Sequence, residues 1–210
     1  MAHAAGFAAA VEQLLLDEGL NPRPESFVDL GTGAGIPGLV LAARWKEARA
    51  LLLDANEARI GSLRTLLDTL GWGERVEVAR ARAEVLGRDP HARGRFALAV
   101  ARGFGAPPVA AECGAALLRP GGLLVVSEPP FEPAPGAQEA GGATAEPEPS
   151  WGPGAWDTTR WPTEGLAQLG LEPVRWHHGR FGYQLLRQAT PCPERFPRRE
   201  GVPGKRPLWR

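Results

Sequence analysis

The stretch that most constrains this chain is DLGTGAGIPG, Asp29 to Gly38, where four glycines and a proline follow directly on the short apolar run Ser26 to Leu30. A strand that ends in such a cluster must turn tightly. Its backbone can then approach a ligand closely, and the helix that follows presents free N–H groups to it. Pro37 suits the first turn of that helix, because its missing N–H would have no intrahelical partner there.

The rest of the chain repeats the same order of elements. Ala8 to Glu18 reads as an amphipathic helix stopped by Gly19 and Pro22, and Pro37 to Trp45 as the helix after the glycine loop. Ala50 to Asp54 is a second apolar strand. Glu57 to Leu70 carries Ile60, Leu63, Leu66, Leu67 and Leu70 at helical spacing and ends at Gly71. Val76 to Ala79, Phe96 to Ala101 and Gly122 to Ser127 supply three further strands, with a helix over Pro108 to Leu118 between the last two. Continuously apolar strands alternating with helices predict an α/β fold: a doubly wound, mostly parallel sheet covered on both faces. Thr163 to Leu169 reads as a short helix, and Glu172 to Trp176 with Phe181 to Arg187 as a closing antiparallel hairpin. The expected organisation is an N-terminal helix in 1–25, a ligand-binding core in 26–128, a flexible acidic insert in 129–160, the closing helix and hairpin in 161–189, and a basic tail in 190–210. The insert carries Trp151, Trp156 and Trp161, whose rings are expected to dock its far end on the domain.

Two registers compete within the glycine loop. Gly33, Gly35 and Gly38 satisfy the G-x-G-x-x-G pattern of dinucleotide sites, which leaves a nicotinamide-dependent oxidoreductase open. Asp29 ahead of Gly31, Gly33 and Gly35 gives the acidic form that suits S-adenosylmethionine. Asp54 ends the second strand 21 residues beyond Gly33 and can accept from ribose hydroxyls under either reading. Asp29 separates them better, since a strand-end carboxylate repels a pyrophosphate but favours a sulfonium cofactor that carries an ammonium group. It can equally tie the loop down by accepting backbone N–H groups.

The blocks DLGTGAGIPG, LLLDANEARIGSLRTLLDTLG, RARAE (Arg80 to Glu84), VARGF (Val100 to Phe104) and FPRREGVPGKRPL (Phe196 to Leu208), in that order, resemble the glucose-inhibited division protein B family. These are S-adenosylmethionine-dependent guanine-N7 methyltransferases of small-subunit ribosomal RNA with a Rossmann-like class I methyltransferase fold. The resemblance implies that Gly31 and Ile36 contact the cofactor, that Asp54 meets its ribose, and that Ala83 and Glu84 line its adenine. Asp29, Gly33 and Gly35 complete the implied cofactor loop. Arg102, at the end of the fourth strand, is implied near the cofactor or the target base. Guanine N7 has an exposed lone pair, so no catalytic acid or base is expected. This sequence departs from the family at Ser127-Glu128, where members tend to carry Lys-Gly.

Charge alone reads the basic tail as a solvated terminus, and the resemblance turns it toward RNA. The chain sums to zero, with 24 basic and 24 acidic residues, yet residues 128–150 hold five glutamates and no cation. From Arg195 onward six cations face Glu200 alone, among interspersed prolines that argue against a folded tail. Together with the resemblance, this marks Arg198, Arg199, Lys205 and Arg206 as contacts to ribosomal RNA or the small ribosomal subunit. A methyltransferase paralogue with another substrate, and a non-catalytic RNA-binding protein that keeps the fold and the basic tail, stay open. Cys113 and Cys192 form no C-x-x-C pair, and His177 and His178 alternate faces of one hairpin, so neither metal nor disulfide is expected. No apolar run approaches the roughly 20 residues of a membrane span, and a cytoplasmic monomer is the expectation.

Overall fold

The computed structural model describes residues 2–129, 150–152, 157–178 and 181–210. Along the chain run α1 (Ala2–Asp17), β1 (Ser26–Leu30), α2 (Gly38–Arg44), β2 (Arg49–Asp54), α3 (Glu57–Leu70), β3 (Val76–Arg80), α4 (Ala83–Leu86) and β4 (Phe96–Ala101). Then follow α5 (Pro107–Leu117), β5 (Leu118–Glu128), β6 (Ser150–Gly152), α6 (Thr163–Ala167), β7 (Leu171–His178), β8 (Gly182–Gln188) and α7 (Val202–Lys205).

Among the described residues one sheet joins all the strands in the order β3-β2-β1-β4-β5-β8-β7-β6. Its first five strands are parallel, and β8 enters antiparallel to β5, with Ser127 opposite Tyr183. The order reverses at β1, and the carboxyl ends of β1, β2 and β4 come together beside that reversal, where open α/β sheets form their ligand crevice. This is a Rossmann-like class I methyltransferase fold, closed by the hairpin that the sequence predicts.

Strand alternation divides the core. Phe27, Leu98, Val100, Val125 and Leu185 pack with α1 and α2 on one face, while Val28, Leu30, Ala99, Ala101, Val126 and Leu186 pack with α5 and α6 on the other. Helix α1 begins six residues earlier than its periodicity suggests, because Phe7 and Ala4 are buried as well. Glu12 fixes it to α2, accepting from both Arg44 and the Trp45 indole.

Of the expected insert, 130–149 and 153–156, including Trp156, lie outside the described residues. The described part of it adds an eighth strand: residues 150–152 pair antiparallel with β7. Trp161 is buried, and its indole N–H donates to Glu128 Oε1 at 3.1 Å.

The tail departs from expectation. It packs against the core, with Phe196 4% exposed, and it forms the short helix α7. Prolines suppress periodicity, but they do not prevent a segment from docking when side chains elsewhere hold its backbone. Arg93 does so, donating to the carbonyls of Cys192, Pro193 and Phe196 at 2.7, 3.0 and 2.6 Å. Both cysteines are free thiols. Among the described residues no helix is long and apolar enough to cross a membrane.

Candidate cofactor-binding site

The glycine loop is tied from within. Asp29 Oδ2 accepts from Thr32 Oγ1 at 2.6 Å and from the Gly38 amide at 2.8 Å, closing the loop back on the strand that launched it. Asp29 is 1% exposed, and burial pushes its carboxyl up to about 6 in spite of those two bonds. Two glycines are required by contact. A Cβ at Gly38 would stand 2.3 Å from Leu52 Cδ2, and one at Gly35 would stand 2.4 Å from Leu39 Cδ1. Gly35 also has a φ of +88°. These two positions let helix, loop and strand approach each other.

Asp54 joins the two neighbouring strand ends. Its Oδ2 accepts from the Gly33 amide at 2.9 Å, its Oδ1 accepts from the Asn56 amide at 2.8 Å, and Arg59 Nη1 lies 3.4 Å away. A carboxylate offers about four lone-pair directions, so a further donor can still be taken. Asn56, held in place by this arrangement, caps α3 by accepting from the Arg59 amide.

Asp54 stands on the wall of a cleft of about 350 Å³ at the carboxyl ends of β1, β2, β3 and β4. Gly31, Leu53, Asp54 and Ala55 form one side, and Ala81 to Glu84 a second. Gly103, Phe104 and Val109 close the third, and the tail supplies Gly201 and Gly204 as a fourth. Of the residues expected from the sequence, Gly31, Asp54, Ala83 and Glu84 meet here. Asp29, Gly33, Gly35, Ile36 and Arg102 do not line this cleft: the first three build the loop behind it, and Arg102 is exposed beyond β4. The charge of Arg102 still reaches Asp29, where it opposes the rise caused by burial, and His3, where it adds to burial in lowering the imidazole pKa.

Glu84 is a buried wall residue, 8% exposed, whose Oε1 accepts from the Gly201 amide at 3.1 Å. The tail is anchored next to it. Arg198 donates from its backbone to Glu112 Oε1 at 2.7 Å, and its guanidinium meets Glu112 Oε2 at 2.6 Å. This corrects the placement of Arg198 on a free arm: Glu112 is fully buried in α5, and a buried carboxylate needs a partnered cation. Arg199, Lys205 and Arg206 remain exposed, and none forms an ion pair among the described residues. Sequence reasoning missed Phe104, Val109, Gly201 and Gly204 as walls, and Glu112 and Arg93 as anchors. One signal was available, since Glu112 is the sole charge in PPVAAECGAAL.

The wall chemistry fits S-adenosylmethionine. Two carboxylates, apolar Leu53, Ala83, Phe104 and Val109, and four glycines that leave room suit an adenosyl group, and the two arginines on the wall, Arg59 and Arg82, are paired with Asp54 and Glu200.

Comparison with known proteins agrees. The family model described as rRNA small subunit methyltransferase G matches residues 11–128. The protein named ribosomal RNA small subunit methyltransferase G in Prochlorococcus marinus (strain MIT 9313) is 33% identical over 186 residues, 89% of this chain and 69% of that protein. Its namesake in Deinococcus radiodurans is 34% identical, over 87% of this chain and 65% of that protein. Among solved structures, a proposed sarcosine dimethylglycine methyltransferase from Galdieria sulphuraria superposes with a TM-score of 0.57 at 11% identity, over 88% of this chain and 86% of that one. That likeness concerns the fold alone.

Proposed function

Because this chain belongs to the rRNA small subunit methyltransferase G family, we propose that it methylates N7 of a guanine in small-subunit ribosomal RNA, using S-adenosylmethionine. The observation that carries this reading is the cleft that unites Gly31, Asp54, Ala83 and Glu84 at the strand ends. When bound there, S-adenosylmethionine supplies an electrophilic methyl carbon on a sulfonium.

The protein's own residues then have three tasks. Asp54 would accept from a ribose hydroxyl while its bonds to the Gly33 and Asn56 amides hold the glycine loop in register with β2. Ala83, Val109 and the Glu84 carboxylate, which line the cleft, would hold the adenine and so orient the cofactor. Asp29 acts from behind the wall, where its bonds to Thr32 and Gly38 hold Gly31 in place.

Guanine N7 attacks with its own lone pair, so no residue need remove a proton before attack. The gain comes from alignment, which can contribute several kcal/mol once the reacting atoms stand about 3 to 3.5 Å apart. Arg102, exposed at the end of β4, would hold a phosphate or the base O6 on the substrate side. Arg199, Lys205 and Arg206 would contact RNA phosphates, and Arg198 holds the segment that carries them.

The test is incubation with labelled S-adenosylmethionine and unmodified small subunits from a strain lacking the gene. Label on a guanine N7 of the small-subunit RNA is expected. Label found only on a small molecule, or on nothing, overturns the assignment.

A further inference from the structure

We propose that the C-terminal segment is a working wall of the cofactor site, so that its docking on the core sets cofactor affinity. This rests on the methyltransferase reading above and goes beyond it by assigning Arg198, Glu112 and Gly201 as positioning residues.

Three observations converge. The first is contact: Gly201 and Gly204 line the same cleft as Gly31 of the glycine loop. The second is the bond from the Gly201 amide to Glu84 Oε1, which leaves the second oxygen of a cleft carboxylate for another donor. Whatever orients the Glu84 carboxylate also orients this second oxygen, so the tail and an adenosyl ligand share one group. The third is anchoring. Arg198 and Glu112 form a bidentate pair across 86 positions of sequence, Arg88 donates to the Pro197 carbonyl at 2.9 Å, and Arg93 holds the carbonyls just before it. The wall is therefore held from several elements and belongs to the domain.

Gly204 adds a point that fold support alone does not explain. Its φ is not positive, and a Cβ built there meets nothing within 4 Å, so neither backbone conformation nor packing demands glycine. The position leaves room at the cleft edge. A ligand that fills the cleft would lie against it.

Two sites that share Glu84 must be linked reciprocally: a ligand that binds better to the docked form stabilises docking by the same factor. Hydrogen exchange on the full chain reads this directly. Addition of S-adenosylhomocysteine is expected to slow exchange at least five-fold in residues 196–206, the Gly201 amide included, together with residues 81–84. Protection confined to the glycine loop and 81–84, with none in the tail, overturns the proposal. Calorimetry in the same samples separates the two readings, because failure to bind S-adenosylhomocysteine counts against the methyltransferase assignment itself. As a second measurement, Gly204→Leu should leave the melting temperature of the free protein unchanged and weaken S-adenosylhomocysteine at least ten-fold. Unchanged affinity in that variant would likewise overturn the proposal.

Discussion

The guanidinium of Arg198 lies on the carboxylate of Glu112 with Nη2 2.6 Å from Oε2 and Nε 3.0 Å from Oε1, joining a tail residue to the middle of α5. Glu112 has no exposure to solvent, so removal of the guanidinium leaves a buried carboxylate with no opposite charge and only the Arg198 amide as a donor. Arg198→Met should therefore cost about 3 to 5 kcal/mol, whereas the double variant Glu112→Leu with Arg198→Met should recover most of that loss. Urea unfolding of both variants measures the difference. Equal destabilisation of the single and double variants would contradict the pairing.

Asp54 combines loop support with contact to the cleft. Asp54→Ala removes the acceptor of the Gly33 and Asn56 amides and the group proposed for the ribose, and S-adenosylmethionine should bind ten- to a hundred-fold more weakly. Titration calorimetry reads this. A change of less than three-fold would remove Asp54 from the site.

Asp29 predicts a pH dependence. Its carboxyl titrates near 6 in the folded protein because burial outweighs its bonds to Thr32 and Gly38 and the nearby Arg102, while Asp54 pushes the same way as burial. In the unfolded chain an aspartate titrates near ~4. Between those values the folded state keeps a proton that the unfolded state releases, so stability falls as pH rises through the window, by about 3 kcal/mol from this group. Asp29→Asn can keep both bonds through its carbonyl and carries no charge. Its stability relative to the wild type should therefore rise between pH 4 and pH 7, and thermal melts across that range would show a flat difference if the reasoning is wrong.

Arg199, Lys205 and Arg206 are exposed and do not line the cleft. Replacing all three with glutamine should weaken binding to a small-subunit RNA fragment and lower the slope of log affinity against log salt by about 2, at roughly 0.7 per phosphate contact on single strands. S-adenosylmethionine affinity should stay within two-fold. An unchanged salt slope would place the RNA contact elsewhere.

Some of this molecule is written in short-range pattern. The apolar run Ser26 to Leu30 before the glycines, the helix Glu57 to Leu70 and the antiparallel pairing of β7 with β8 all lie where their local signals put them, because strand and helix periods act over a few residues. Asp54 was legible for a related reason, since it ends a parallel strand beside the crevice, whereas the pair Ala83-Glu84 was legible through the family resemblance, and Arg102 ends β4 without lining the cleft. The start of α1 was harder to read, since Ala2 to Phe7 carries little pattern of its own and takes its burial from Tyr183 and Phe181.

The amino-acid sequence by itself determined the doubly wound sheet, the tied glycine loop and the acids at the strand ends, since these depend on spacing between near neighbours. Only the tertiary structure decided that the basic tail is a docked wall and that Arg198 serves Glu112, leaving Arg199, Lys205 and Arg206 as the exposed cations. The physical reason is distance along the chain. Glu84 meets Gly201 across 117 positions and Glu112 meets Arg198 across 86, and a proline-rich segment without periodicity carries no local signal of the partner that will bury it.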